Sequence, residues 1–327
     1  MYFLCGFRLE PLRQDILKFV EILEDFGQMA SLSLFQPTVE LVLALMGPTH
    51  STASTRYIKI GSQRLNGDGY LLTVPQDDAN NRVLQSYYRH QMILAYYFGD
   101  IELAYEMSSK LGLPLEDGPV AWLPSRFFFQ SLVAFAMARL ATRRSKRRYY
   151  LMRGRKFLTK LKKMSDAGNV NCKHLVDIAN AEEVSLSSKG GDHRLVQQSY
   201  DSAISKSGRR GFLNDQALAN ELAAMYFLRQ GDREWAATYI DRAYELYLEW
   251  GAVAKCVILE SKYKDLLEMD DKVMTATQRS STSGGVDGNN SSRRGRGDLK
   301  AKTRVSDSLS LSGRKHVSII AFNKKAK

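Results

Sequence analysis

The chain is predicted to be all-α, an array of helix pairs stacked in order and followed by a disordered basic tail. Three observations carry this prediction. Apolar residues recur at helical spacing, as at Leu12, Ile16, Phe19, Val20 and Leu23. Gly-Asp turns at Gly99-Asp100, Gly191-Asp192 and Gly231-Asp232 each separate two such segments. No convincing pair of alternating runs reads as strands, so helices must bury their apolar stripes against one another.

Each element follows from its residues. Pro11 suits the first turn of the first helix, where its missing N–H costs nothing. Leu32 to Met46 is apolar and helical, with Pro37 expected to kink or start it. Gly47-Pro48, Asn66-Gly67-Asp68-Gly69 and Asp77-Asp78 mark an inserted stretch at 47–80. Within it Arg56–Ile60 and Tyr70–Val74 read equally as a small hairpin or as part of a plain long loop. Helices are then expected near 82–98, 100–111, 125–141, 147–164, 173–188, 192–207, 214–230, 232–249 and 251–268. Phe127 to Ala141 is the most apolar stretch. It is broken by Gln130 and Arg139 and falls short of the roughly 18 apolar residues of a membrane span, so it reads as a buried helix. Thr275 to Gly297 is dominated by Ser, Gly, Thr, Asn and Arg and has too little apolar surface to offset ordering entropy. The organisation expected is 1–46 N-terminal helices of the array, 47–80 inserted loop, 81–270 helical repeats and 271–327 disordered tail, apart from a short apolar segment at Val317–Phe322.

Composition narrows the function classes. Of 327 residues, 44% are hydrophobic and 25% charged, which is ordinary for a soluble globular chain. Cys5, Cys172 and Cys256 are scattered without a C-x-x-C, which excludes a zinc ribbon and argues against a disulfide scaffold. The first residues lack a basic start, a long apolar centre and a cleavage site, so no signal peptide is expected and a reducing, cytoplasmic setting fits. The net charge is +12, but it is localised. Arg139 to Lys163 holds 12 basic and no acidic residues, and 271–327 holds 13 basic and 4 acidic ones. The remainder is net acidic, so this is not a uniformly basic domain.

The turns give a register. Gly ends one helix in a left-handed conformation and Asp caps the next. Val196, Tyr200 and Ala203 after the second turn match Ala236, Ile240 and Ala243 after the third, 40 residues on. The last pair resembles a tetratricopeptide repeat, which alternates small and large residues where its two helices meet. Ala224 stands at the small position of the first helix and Phe227 at its aromatic one, Gly231 takes the turn, and Ala236, Ile240 and Ala243 follow as small, large and small. Asn220 and Leu248 replace the repeat's usual Trp and Pro, and at Gly99 only Ala104 fits well. The fold is therefore expected to be a degenerate tetratricopeptide-like helical-repeat solenoid.

A narrower resemblance lies in Phe212–Leu267. Ala217-Leu218-Ala219, Glu221-Leu222-Ala223-Ala224, Trp250-Gly251-Ala252-Val253-Ala254-Lys255 and Leu259-Glu260-Ser261-Lys262-Tyr263 resemble the last repeats of the array in very large signalling proteins. Those proteins join a serine/threonine-kinase-like domain, an AAA-type ATPase module, the array, and a GAF domain with a histidine kinase or nucleotide cyclase. Lys264 stands where that family usually has Pro, and 47–80 and the basic stretch fit it poorly. The resemblance implies a regulatory array, either a piece of a longer protein or a stand-alone remnant, with protein partners or flanking signalling domains. Trp250 is read as a structural anchor and Gly251 as the sharp turn into a closing helix.

Enzymatic motifs are absent: no phosphate loop, no kinase set, no G-x-S-x-G and no H-E-x-x-H. No catalytic, cofactor or metal residue is assigned. Ser207 to Gly211 reads as a repeat linker. His193 reads as a surface residue, and His90 lacks the acidic neighbour of a phospho-accepting histidine. Glu182-Glu183 and Asp270-Asp271 are read as solvated surface. The exposed functional candidate is the basic stretch Arg143, Arg144, Lys146, Arg147, Arg148, Arg153, Arg155 and Lys156, interleaved with Tyr149, Tyr150, Leu151 and Phe157. It suits an acidic protein surface, RNA or another phosphate, or an anionic lipid, and Arg143–Arg148 also reads as a nuclear-import cluster. A solvated helix facing the acidic remainder is the plain alternative. The function expected is a non-catalytic scaffold in signal transduction, with a basic helical-repeat binder of RNA or an anionic membrane as the alternative.

Overall fold

Eleven α-helices, three short 3-10 turns and no strand make up the described residues of the computed structural model, which are 2–47, 78–112, 120–187 and 193–282. The helices are α1 (Leu9–Asp25), α2 (Met29–Met46), α3 (Asp78–Phe98), α4 (Ile101–Lys110), α5 (Leu123–Leu140), α6 (Arg144–Asp166), α7 (Lys173–Ser187), α8 (His193–Arg209), α9 (Leu213–Arg229), α10 (Arg233–Trp250) and α11 (Val253–Thr282). Successive helices from α1 to α10 pack against each other, and α3, α5, α7 and α9 are neighbours in a row. That row is the inner layer: α5 is buried on every face from Pro124 to Phe135, and α9 from Ala217 to Ala224. The second helix of each pair packs on the row from one side and keeps its other face to water, which is how helix-pair arrays bury a continuous core.

The Gly-Asp turns do what their chemistry requires. Gly99 and Gly231 have φ of 83° and 81°, a left-handed conformation that a Cβ would strain. The next nitrogen then reaches back five residues, from Asp100 to the Ala95 carbonyl (2.9 Å) and from Asp232 to that of Phe227 (3.0 Å). Asp100 accepts from the Leu103 N–H (3.0 Å) and Asp232 from that of Trp235 (3.1 Å), capping α4 and α10. Gly191-Asp192 lies outside the described residues. The same five-residue return closes α1, α6, α8 and α10, so the turn repeats more often than the Gly-Asp pairs reveal.

The small and large positions fall in the core as the register requires. Ala104, Tyr200, Ala203, Ala224, Phe227, Ala236, Ile240 and Ala243 are all buried. The Phe227 ring stacks on Tyr239 at 5.5 Å. A further close approach sits between α5 and α6. A Cβ on Gly154 would stand 2.5 Å from the Phe135 ring, so α6 can lie this close to α5 only with hydrogen there.

The ends of the array meet. Trp250 is fully buried, donates from Nε1 to the Phe7 carbonyl (3.1 Å), and packs on Phe3, Tyr97 and Tyr247. Gly251, with φ of 92°, turns the chain into α11, whose Cys256, Leu259, Tyr263 and Leu266 cover the last pair. Residues 3–9 thus lie against the first turns of the C-terminal helices, and the first helix adjoins the last turn.

Element bounds differ from the expectations in several places. Pro37 does not start α2, which begins eight residues earlier and runs through it. α2 is also the one described helix long and apolar enough to cross a membrane by length and composition, although Val39, Leu41, Val42 and Leu45 lie in the core. The last helix extends to Thr282, past the 268 expected for it, and no Gly or Pro follows Gly251 until Gly284. That helix breaks at Tyr263 (φ −126°, ψ 28°). The inserted stretch ends earlier than expected, because α3 already starts at Asp78. The expected hairpin, Val317–Phe322 and 283–327 lie outside the described residues.

Two predictions follow from this packing. Ala236→Leu should overpack the last pair and cost about 1–3 kcal/mol, and Ile240→Ala about 2–5 kcal/mol, while exposed Glu234→Ala stays within about 0.5 kcal/mol in denaturant melts. The second concerns Glu40 in α2. Burial pushes its carboxyl up to about 7, against a hydrogen bond from Gln36 (3.0 Å). Folded protein therefore holds a proton that unfolded chain releases, so this group's contribution falls as pH rises from the ordinary carboxyl range to about 7. Glu40→Gln should stabilise the protein by on the order of 1–3 kcal/mol at pH 8 and by little at pH 4, read from melts at both values.

Candidate functional site

α6 is the helix that carries the cations, and its sequence divides it into two faces. Leu151, Gly154, Leu158 and Leu161 recur at helical spacing toward α5, and the Phe157 ring stacks on Phe127 at 6.4 Å. The other face is exposed. Arg143, at the N-cap, makes no side-chain cap, and the first turn holds no acid. Arg144, Lys146, Arg147 and Arg148 thus crowd the positive end of a helix, where the backbone field disfavours cations.

Some of the basic residues have internal partners. Arg139, at the end of α5, pairs with Glu182 of α7 and donates to Ser185 Oγ (2.6 Å). Burial lowers that guanidinium, but the carboxylate outweighs it and holds it above its ordinary value. Arg155 pairs with Glu183 (2.7 Å), and Arg147 donates to the Leu186 carbonyl (3.2 Å). Arg153 donates to the Tyr149 hydroxyl (3.3 Å) and lies over the Tyr105 and Phe157 rings. Lys160 covers the Phe127 ring at 5.0 Å. By contrast, Arg143, Arg144, Lys146, Arg148, Lys156, Lys162 and Lys163 make no ion pair among the described residues. Beside them Tyr149 is 53% and Met152 60% exposed. The face can hold an extended anionic surface and give its apolar edge a contact. The acidic remainder of the array reaches the margin of this face through Glu183, which takes Arg155.

Glu182 corrects the sequence reading. It is 1% exposed, not solvated: one oxygen takes Arg139 and the other the Tyr200 hydroxyl, joining α5, α7 and α8. Adjacent Glu183 is half-buried, so neighbouring helical residues do face differently, but one of the two faces inward. The side chains of Asp270 and Asp271 lie outside the described residues. A second buried pair, Lys255 with Glu221 (2.7 Å), joins two segments that the sequence singled out separately.

Histidine chemistry is structural at two positions. His90 is buried, bonds the Ser86 carbonyl (2.7 Å) and Thr38 Oγ1 (3.1 Å), and packs on Trp122. Burial and then Arg89 push it down to about 3, so it stays neutral. His193 is exposed and meets the Tyr226 hydroxyl at 3.0 Å. The third, buried His174, bonds Asp215 at 2.8 Å, across 41 residues that give the sequence no local pattern to read. Among the described residues no three His, Cys, Asp or Glu gather as metal ligands. Burial pushes the Cys172 thiol up to about 11 and that of Cys256 to about 12.

No family model, no curated protein and no solved structure matches this chain.

The two adjacent glutamates give a direct contrast. Glu182→Ala leaves Arg139 buried without its carboxylate and should cost about 3–5 kcal/mol. Glu183→Ala removes a part-exposed pair and should cost about 1 kcal/mol or less. Equal losses in denaturant melts would show that Glu182 is not the hub of this network.

Proposed function

We propose that this chain is a non-catalytic helical-repeat scaffold, related in role to the regulatory arrays of kinase–ATPase–sensor signalling proteins, and that it holds an acidic protein surface against the exposed face of α6. One observation carries the reading: seven cations on or beside one outer helix lack a carboxylate partner among the described residues, several of them at a helix start that disfavours them. Like charges crowded in this way weaken the fold, and an anionic partner relieves that repulsion. The inner row of helices is filled by its own side chains, which leaves an outer helix as the surface for a partner.

A second reading, RNA or an anionic membrane, is favoured by exposed Tyr149 and Met152, since a ring stacks on bases and an apolar edge enters a lipid surface.

The test compares three probes against the full chain: an acidic polypeptide, a single-stranded RNA, and vesicles containing phosphatidylserine. The proposal expects binding to the acidic polypeptide that weakens with salt and is lost in the triple variant Arg144→Gln, Lys146→Gln, Arg148→Gln. The same variant should melt no lower than the parent, because it removes repulsion and no internal partner. Binding to RNA or vesicles with none to the polypeptide would replace the proposal by the second reading.

A further inference from the structure

A cavity of about 90 Å³ lies where the first turns of α5, α7 and α9 meet, behind residues 3–5. Each first turn contributes a polar side chain: Ser125 from α5, His174 from α7 and Asp215 from α9. Three helix starts make this a positive place, and the Asp215 carboxylate already answers it. Its two oxygens take His174 Nε2 (2.8 Å) and Asn214 Nδ2 (3.3 Å). The charge of the site is therefore balanced from within the chain.

Its hydrogen bonding is not. A carboxylate only accepts, so His174 Nε2 carries the proton that it shares with Asp215, and in the neutral ring Nδ1 presents a lone pair. The ring is also stacked on Phe212 at 3.9 Å, which fixes its orientation. Nδ1 has no partner, and neither have Asn214 Oδ1 and the Ser125 and Tyr97 hydroxyls, whose residues line the same cavity. His174 and Ser125 are 1% and 6% exposed. Buried polar atoms are nearly always bonded, so four orphans lining one cavity, two of them acceptors and two of them hydroxyls, mark a place built for a hydrogen-bonding guest.

We propose that this cavity binds a small neutral carboxamide. Its N–H would donate to His174 Nδ1 and its polar atoms would meet the Ser125 hydroxyl, with the apolar end against Phe128 and Leu175. Size agrees: a cavity of about 150 Å³ accepts a six-carbon ring, so this one accepts about four heavy atoms. The charged isosteres fit worse. A carboxylate brings no donor for Nδ1 and adds a second negative charge beside Asp215. An amidinium brings no acceptor and places a cation at three helix starts.

Cys5 lines the same cavity and is half-buried, whereas Cys172 and Cys256 are buried, so Cys5 is a natural reporter. Iodoacetamide and iodoacetate differ little in size, and each forms a sulfur–carbon bond as iodide leaves and the thiol proton passes to solvent. In the native full chain, Cys5 should react with iodoacetamide saturably, with a preference over iodoacetate roughly tenfold or more above that of the unfolded chain. Acetamide should slow the reaction competitively, and acetate should not. Ser125→Ala, a small change that spares the His174–Asp215 pair, should abolish the added preference. A preference equal to that of the unfolded chain, or no protection by acetamide, overturns the proposal. If Cys5 reacts with neither reagent, the His174 imidazole signal decides by NMR: a saturable shift with acetamide and none with acetate supports the site, and no shift with acetamide overturns it.

Discussion

The fold hangs on one buried ion pair. Lys255, at the start of α11, places its ammonium where it donates to Glu221 of α9 (2.7 Å) and to the carbonyl of Tyr97, the penultimate residue of α3. The other oxygen of Glu221 accepts from the Tyr247 hydroxyl of α10 (2.8 Å), and the ammonium also faces the Tyr247 ring. Four helices from opposite halves of the chain meet at one charge pair. Buried pairs are often no better than an apolar substitute, but breaking one is costly, because the partner is left charged in an apolar place. Here each carboxylate oxygen has a donor, so the pair fixes which helices meet. Trp250 and Phe7 sit beside it and seal the join.

This closure bears on function. Residues 3–9 lie against Trp250, Gly251 and the start of α9, and the inner row of helices is packed by its own side chains. What is left outward is the second helix of each pair, and α6 differs from the others in charge. Gly154 presses α6 onto α5 and so sets which side faces water. The cations are therefore displayed by packing on the opposite face, and the acids of α7 reach only the margin of the display.

Much of the fold was legible in the residues. The periodicity placed the helices, and Gly99, Asp100, Gly231 and Asp232 marked turns because single residues there meet a local requirement. Ala236, Ile240 and Ala243 were legible because small and large residues alternate where helices touch. What escaped was long-range. Glu182 looks solvated until α8 brings Tyr200 to it, and its sequence neighbour Glu183 has the same chemistry with a different fate. Lys255 and Glu221 were each visible inside a motif, but nothing local says that they pair, and the return of residues 3–9 to Trp250 spans almost the whole array. The cationic face of α6 was readable as a run of charge; which of its members lack partners was not, since that depends on α7. The cavity at His174 assembles three helix starts and had no sequence signature.

The closure of the array through Lys255 and Glu221 is tested most directly by a double-mutant cycle in denaturant melts, with Lys255→Met, Glu221→Leu and the pair together. The account predicts that each single change costs about 3–5 kcal/mol and that the double variant recovers most of the loss, because it leaves no orphaned charge. Additive losses, or single changes as mild as those of an exposed pair at about 1 kcal/mol or less, would contradict it.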